Sequence, residues 1–584
     1  MKHKKSNFNW FVLPSILVFA VILRLVPIMW DSGFHFHPDE RMLIMVADRI
    51  NFWSNLDPDF FNYGSLPVYL LTGVSQFLDW ALGWNITTYD GMLVVGRLLS
   101  TICDLFVIFI IYHLALLIFK KKSLALWSSF FYSLAFFPIQ NSHFFIVDTF
   151  LTLFVTLLAY LLLLFNKSRS ESIEFTRDYF KRIFFISITF AAALTTKITA
   201  IIFMPIIILA LVIPKKISKK TFFSSNYYGQ SLISILLFAV LATLFSYLFM
   251  PYAFIKYQQF INEVLQQIKM NSDPYIFPYT LQYVGTLPYF YYLKNIFIWG
   301  LGPIISLFFL IGIVNFVKSL KFRNPPVGRA GLSFIIFFLF YFFYFVIIGK
   351  SSVKFMRYML PLYPFFTIMA GYGVCVVYNF IAHVILSKHI LSNIKKARKF
   401  IIFSGTIVLS TILWTLMFLN IYTTPNTRIQ ASDWIHQFIP PGSTLGVEHW
   451  DDRVPIYYGE RFRYEELTLY DIPDDDLKWK VINEKLKLID YIVIASNRLY
   501  TPLQRLDNCN KTYPRCYPKT SKYYQKLFNN KLGFTKIAEF TSYPRWEIGP
   551  PTGGLKFEIN DSSSDESFTV YDHPKIMIYK NTTR

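Results

Sequence analysis

Long apolar runs divided by short polar connections fill residues 8–422, and a polar, strand-patterned stretch follows them. The runs lie at 8–30, 97–119, 124–140, 147–165, 183–196, 198–213, 231–251, 298–317, 332–349, 357–386 and 400–422. A spanning helix needs about 17–25 apolar residues, and shorter ones serve inside a bundle. The pattern therefore predicts eleven transmembrane helices. Runs 183–196 and 198–213 are short and are divided only near Lys197. Two connections are too long for plain turns, 31–96 and 252–297. Within the first, Met42 to Phe52 is amphipathic, with Leu43, Val46, Ala47 and Ile50 on one face, and Leu66 to Leu82 reads as a second surface helix. Together they roof a cavity that opens outward.

After residue 422 the pattern changes. Tyr491 to Ile494 and Lys575 to Tyr579 read as strands, and Ala431 to Phe438 as a short helix ending at Pro440-Pro441. We assign residues 1–425 to a transmembrane domain that includes the loop 31–96, and 426–584 to a soluble, extracytoplasmic α/β domain. The run Pro550 to Gly554 reads as a loop, and Asp561 to Ser567 as a solvated, flexible segment. Cys509 and Cys516 share a loop of the outer domain, where a disulfide suits the compartment. Cys103 and Cys375 lie in apolar runs and read as packing residues. No internal repeat stands out.

Composition agrees with a membrane protein. Only 16% of residues are charged, against about 25% in soluble domains, and 19% are aromatic. The net charge of +21 could point to nucleic acid, but much of the basic charge sits in short connections between apolar runs. There is no zinc-finger spacing, basic face or recognition helix, which excludes nucleic acid as a partner. The cations instead fix orientation. Lys2, Lys4, Lys5, the Lys120 to Lys122 run, Lys167, Arg169, Arg177, Lys181, Arg182, Lys215, Lys216, Lys219, Lys220, Lys318, Lys321, Arg323, Arg329, Lys388, Lys395, Lys396, Arg398 and Lys399 fall on alternate connections. The positive-inside bias makes these cytoplasmic. The chain is expected to be a multi-pass protein of the cell membrane with its N-terminus in the cytoplasm. Loops 31–96 and 252–297 and everything after 422 then lie outside. The basic N-terminus and first run have the outline of a signal peptide, but no small-residue cleavage site follows, so an uncleaved helix is expected.

Candidate chemistry collects at the outer edge. The stretch Phe34-His35-Phe36-His37-Pro38-Asp39-Glu40-Arg41 places two carboxylates directly after the first run. Such a pair costs desolvation energy unless it faces water, a cation or a substrate. Capping of a helix starting near Arg41 is the plain reading. As chemistry, one carboxylate takes a proton from an acceptor hydroxyl or amine while the other tunes it. A second acid, Asp148, follows the short turn holding His143. A metal needs three or four converging ligands, and His35, His37, Asp39, His143 and Asp148 show no diagnostic spacing. No cofactor is assigned, and a divalent metal ion stays open. A third group is cationic and breaks the positive-inside trend: Arg24, Lys197, Lys350, Lys354 and Arg357, the last heading Arg357-Tyr358-Met359-Leu360-Pro361. Each could snorkel or serve a structural partner. Several around one outward cavity suit a phosphate or diphosphate group.

On these residues the chain resembles the polyprenyl-phosphate-dependent glycosyltransferases of the C-type (GT-C) fold. It is similar to protein O-mannosyltransferases and to the aminoarabinose transferases of lipid A. The resemblance rests on Asp39-Glu40, Asn62-Tyr63-Gly64-Ser65-Leu66-Pro67, Gly96-Arg97-Leu98-Leu99-Ser100, His143 to Asp148, Thr196-Lys197 and Arg357 to Pro361, and covers about residues 8–422. It implies a sugar donor on a polyprenyl phosphate, with Asp39 as base, Glu40 in support and Asp148 as a second cavity acid. Lys197 and Arg357 would hold the lipid phosphate, with His37, Tyr63, His143 and Tyr358 lining the substrate site. Transfer would invert the anomeric centre, and the acceptor could be a protein, lipid or glycan. No repeated carbohydrate-binding domain appears in the outer loops, and residues 426–584 carry no catalytic motif. Rival readings are a lipid or polysaccharide flippase, which predicts related halves and broken mid-membrane helices, and a non-enzymatic envelope assembly factor.

Overall fold

Each apolar run is helical over most of its length in a computed structural model, which describes residues 9–168, 176–213, 225–321, 331–387, 393–457, 459, 461–548 and 555–583. Lys2, Lys4, Lys5, Arg169, Lys215, Lys216, Lys219, Lys220, Arg323, Arg329, Lys388 and the Pro550 to Gly554 loop lie outside the described residues. Among the described residues, five helical stretches are long and apolar enough to cross a membrane: Tyr89–Phe119, Val147–Lys167, Gly229–Phe249, Met356–His383 and Ile401–Phe438. Shorter apolar helices are Phe11–Leu25, Ile198–Val212, Pro303–Ser319 and Phe334–Gly349.

The N-terminal half runs α1 (Asn9–Leu25), α2 (Pro38–Asp48), α3 (Leu66–Leu82), α4 (Tyr89–Phe119), α5 (Lys122–Leu134), α6 (Phe136–Ser142), α7 (Val147–Ser168) and α8 (Arg177–Leu194). The run 124–140, expected as one helix, is broken at Ala135. Pro138 is the cause: it has no N–H and its ring excludes the carbonyl four residues earlier, that of Leu134. That freed carbonyl accepts from Thr415 Oγ1 at 2.7 Å instead. The run 298–317 is interrupted at a left-handed Gly302, between a π-helical turn, Ile296–Gly300, and a helix that starts at Pro303. The surface helix expected from Met42 starts at Pro38, the usual first helical position for proline. It therefore takes Asp39 and Glu40 into its first turn. Helix α3 has the expected bounds.

Loops 31–96 and 252–297 and the stretch after 422 contact one another. Arg41 pairs with Asp452 at 3.1 Å, the Phe61 amide donates to Glu263 at 2.6 Å, and Gln282 donates to Glu566 at 3.1 Å.

The C-terminal stretch holds a five-stranded mixed sheet in the order β2-β1-β3-β7-β4. The strands are β1 (Thr444–Glu448), β2 (Arg463–Leu467), β3 (Tyr491–Ile494), β4 (Phe534–Phe540) and β7 (Ile576–Asn581), with β5 (Arg545–Ile548) and β6 (Leu555–Glu558) as a separate hairpin. β1 is parallel to β2 and β3, whereas β7 is antiparallel to β3 and β4. Successive β3 residues face opposite ways: Tyr491 and Val493 pack with the helix Thr427–Phe438, and Ile492 and Ile494 with the helices Asp476–Leu488 and Pro518–Phe528. Cys509 and Cys516 form the disulfide. Cys103 and Cys375 are free.

One segment departs from its sequence reading. Asp561 to Ser567 is solvated only in part: Ser562 and Ser563 are exposed, but Asp561, Asp565 and Glu566 are buried. Their carboxylates are tolerated there by partners: His573, Tyr291 and Arg498 respectively. The strap that follows enters the bundle's own apolar core. Phe568 stacks among Phe136, Phe137 and Phe418, with ring centroids 5.8–6.3 Å apart.

Candidate active site

Placement of the site begins with Arg97, fully buried in α4. Its N–H donors are all engaged. Nε and Nη2 meet Glu40 at 2.9 and 2.8 Å, Nη1 and Nη2 meet Asp31 at 2.9 and 2.7 Å, and Nη1 also meets the Ile28 carbonyl at 2.8 Å. The Phe145 amide adds a bond to Glu40 at 2.8 Å. Burial pushes the Asp31 carboxyl up, but Arg97's hydrogen bond and charge outweigh it and leave it below its ordinary value. Gly96 permits this approach, since a Cβ there would stand 2.7 Å from the Phe145 ring. The knot ties α2 to the bundle. It also aims the neighbouring Asp39 away from Arg97.

Asp39 instead meets Arg357, with Nη2 to Oδ2 at 2.9 Å. Arg357 lies in a 3-10 turn, Met356–Leu362, that precedes the helix Tyr363–Ser387. Its Nε is 3.9 Å from Asp148 Oδ2. Asp148, in the first turn of α7, binds Lys197 Nζ at 2.7 Å. Lys197 stands in the extended break after α8, with its ammonium 4.5 Å from the Tyr358 ring centre and 6.0 Å from that of Tyr63. Tyr63 is brought there by Gly64. The Gly64 amide donates to Thr196 O and the Leu66 amide to Thr195 O, both at 3.1 Å, and a Cβ on Gly64 would lie 1.9 Å from Thr195 O. Burial, with Asp39 nearby, holds the Tyr63 hydroxyl well above its ordinary range.

The result is an alternating chain of charges: Lys197, Asp148, Arg357, Asp39. Two features single it out as the candidate site. The Asp39 side chain keeps 19% of its exposure although its neighbours are buried. Arg357 Nε and Nη1 are buried without a hydrogen-bond partner, a costly state for a guanidinium unless a ligand completes it.

The structure brings together Asp39, Tyr63, Asp148, Lys197, Arg357 and Tyr358. His37 stands at the N-terminal end of α2 without a side-chain cap bond, its ring 4.7 Å from that of Phe144 and 4.2 Å from that of Tyr571. Burial first, then the charge of Arg357, pushes His37 well below its ordinary value, so it is neutral. Glu40 is one residue from Asp39 but buried in the Arg97 knot, out of contact with Arg357. His143 is drawn into packing: Nδ1–H donates to Ile139 O at 2.8 Å and the ring stacks on Tyr422 at 4.3 Å. Burial takes it down to about 4. His35 pairs with Asp90 at 3.0 Å. Arg24 pairs with Asp104 at 2.6 Å and not with either site acid, and Lys354 donates to Ser352 O at 2.9 Å. The five side chains considered for a metal thus go to different partners. Among the described residues no group of three or more His, Cys, Asp or Glu is placed to hold one.

Sequence reading missed Tyr571, which reaches the site from the far end of the chain. A buried polar network fixes it. Arg428 donates to Val570 O at 2.8 Å and to Tyr571 O at 3.3 Å. Asp572 accepts from Tyr422 at 2.7 Å and from Gln140 at 2.9 Å. His573 lies between Asp572 at 2.5 Å and Asp561 at 2.8 Å. Burial pushes His573 down, but the two carboxylates outweigh it and lift it to about 10. A raised histidine stabilises the fold fully below its unfolded value of about 6.5 and loses that contribution as pH climbs through its folded value. Melting temperature should therefore fall as pH rises from about 6.5 toward 10, and His573→Gln should flatten that slope in a pH series of thermal unfolding curves. An unchanged slope would show that the network's charge is not what holds the strap.

Against known proteins, residues 78–243 match the sequence model of the dolichyl-phosphate-mannose-protein mannosyltransferase family. That span contains Arg97, His143, Asp148 and Lys197 but neither Asp39 nor Arg357. No curated protein matches the chain. Among solved structures, the oligosaccharyltransferase of Archaeoglobus fulgidus in the apo form aligns with a TM-score of 0.52 at 14% identity, over 96% of this chain and 75% of that one. The same enzyme tethered to an acceptor peptide containing the NVT sequon aligns with a TM-score of 0.51 at 14% identity, over 96% and 74%. ArnT from Cupriavidus metallidurans bound to undecaprenyl phosphate gives 0.47 at 13% identity, over 86% and 95%. The chain is thus a GT-C-like multi-pass membrane protein, similar over residues 78–243 to the dolichyl-phosphate-mannose-protein mannosyltransferases and sharing its fold with the archaeal oligosaccharyltransferase.

Proposed function

We propose that this protein transfers a sugar from a polyprenyl-phosphate donor to an acceptor on the outer face of the membrane. The observation that carries the reading is Arg357, with two buried, unpartnered donor nitrogens, within reach of two carboxylates and linked to Lys197 through Asp148. A phosphate oxygen is the acceptor that such a guanidinium lacks. Asp39 then takes the proton of the acceptor's hydroxyl. The acceptor oxygen bonds to the anomeric carbon as the bond from that carbon to the phosphate oxygen breaks. The electron pair leaves with the polyprenyl phosphate, whose charge Arg357 and Lys197 hold. One displacement inverts the anomeric centre. Tyr63, Tyr358 and His37 line the site. Glu40 touches no reacting group in this scheme; through Arg97 it is a positioning residue for α2.

Residues 1–425 carry the transfer, and 426–584 cover its outer side through the Tyr571 strap. The cation distribution supports an outward orientation. Reporter fusions after residue 122 should read as cytoplasmic and after residue 450 as external; an internal residue 450 would put the site on the wrong face. The direct test is mass spectrometry of lipid that co-purifies with the protein. A polyprenyl-phosphate sugar, consumed on addition of acceptor-containing membranes, is the expected result. Protein that neither carries nor cleaves such a lipid would overturn the assignment.

A further inference from the structure

Both cations proposed to hold the donor phosphate are already bound to the site's own acids. Lys197 is held by Asp148 at 2.7 Å, and Arg357 by Asp39 at 2.9 Å. The four charges sum to zero before any substrate enters. Every two-pronged contact of an arginine with an anion uses Nη2, together with either Nε or Nη1. Nη2 is the nitrogen that Asp39 holds. A phosphate seated on Arg357 therefore shares that nitrogen with Asp39 or displaces it. In either case two anions stand side by side on one cation, a juxtaposition that favours proton uptake or movement by the carboxylate.

We propose, resting on the transferase reading above, that the donor phosphate and Asp39 are antagonistic ligands of Arg357. Until the donor arrives, the ion pair holds Asp39 in check. The donor's phosphate neutralises Arg357 and releases Asp39 to accept the acceptor's proton. Asp148 plays the matching part at Lys197: it is a positioning residue that keeps the ammonium in place and yields it to the phosphate. The consequence is an order of events. The donor binds first, and the base becomes competent only over a loaded site. This spares the membrane surface an unpaired base beside open water. It also places both acids among the determinants of donor affinity, where a plain base would have no such effect.

Coupling is reciprocal: if phosphate weakens the hold on Asp39, removing the Asp39 charge must tighten phosphate. Full-length protein in nanodiscs is titrated with undecaprenyl phosphate, with folding checked by thermal unfolding. Asp39→Asn and Asp148→Asn should each bind about tenfold more tightly than the parent, the worth of one charge-assisted contact. Glu566→Gln is the control. Glu566 is also a near neighbour of Tyr571, but it pairs with Arg498 and with neither cation. It should shift affinity by less than about twofold. Unchanged or weaker binding in Asp39→Asn overturns the antagonism. So does an equal gain in Glu566→Gln, which would reduce the effect to general repulsion. Asp148 is buried, so if its variant does not fold, Asp39→Asn decides alone. Arg357→Ala tests the underlying reading separately. A loss of about tenfold or more supports a phosphate on Arg357; no loss sinks that reading whatever Asp39→Asn does.

Discussion

Asp39→Asn should leave a folded, lipid-binding protein that transfers no measurable sugar. The substitution keeps volume and one hydrogen bond to Arg357 but removes the more exposed of the two acids, Asp39 and Asp148. Loss of a general base is worth about 10²–10⁴ in rate. The upper end is expected here because the other cavity acid, Asp148, is buried and bound to Lys197. Transfer would be followed with a radiolabelled lipid-linked sugar at saturating donor. A drop in kcat with an unchanged melting temperature is the expected pattern. Retention of more than about a tenth of parental kcat would remove Asp39 from the role of base.

The adjacent carboxylate should behave in the opposite way. Glu40→Gln puts an amide where Glu40 accepts from Arg97 Nε, Arg97 Nη2 and the Phe145 amide. A glutamine oxygen can keep the first and third of these. Its NH2 then points at the Nη2 donor, and two donors face each other in a dry site. Breaking one partner of a buried ion pair costs about 3–5 kcal/mol. Asp31 still neutralises Arg97, so the lower end, about 3 kcal/mol, is expected. The protein should melt earlier and be recovered from membranes in lower yield. The activity of whatever folds should recover on cooling, because Glu40 reaches no substrate. A Glu40→Gln protein that is fully stable yet inactive would return Glu40 to the chemistry. Side by side, the two variants separate a base from a foundation stone one residue away.

That neighbouring pair also marks the limit of the sequence. Two adjacent carboxylates at a helix start look alike in one dimension. In the fold they differ, because consecutive residues in a first turn point about 100° apart. One meets Arg97 on α4; the other meets Arg357 and keeps part of its exposure. The same limit applies to the histidines. His143 and His35 stood among the candidates because histidine is chemically versatile. Packing assigned them to Tyr422 and to Tyr89 with Asp90. Arg24 and Arg357 were equal as misplaced cations, and only the location of Asp104 separated them.

By itself the sequence determined most of the helical positions, the existence of α2 and α3, β3 and β7, and the loop cysteine pair. These follow from local rules: runs of apolar residues must leave water, alternation fixes a strand's faces, and proline and glycine break regular structure. It also placed Asp39, Asp148, Lys197 and Arg357 on a short list, because charges at a membrane edge are costly enough to be conspicuous. Tertiary structure alone decided which of them converge, and it made Arg97 the anchor of α2. It also carried Tyr571 through a buried strap of charges to the site. Contacts between residues hundreds of positions apart depend on the whole packing of the bundle. No local pattern of apolar and polar positions encodes them.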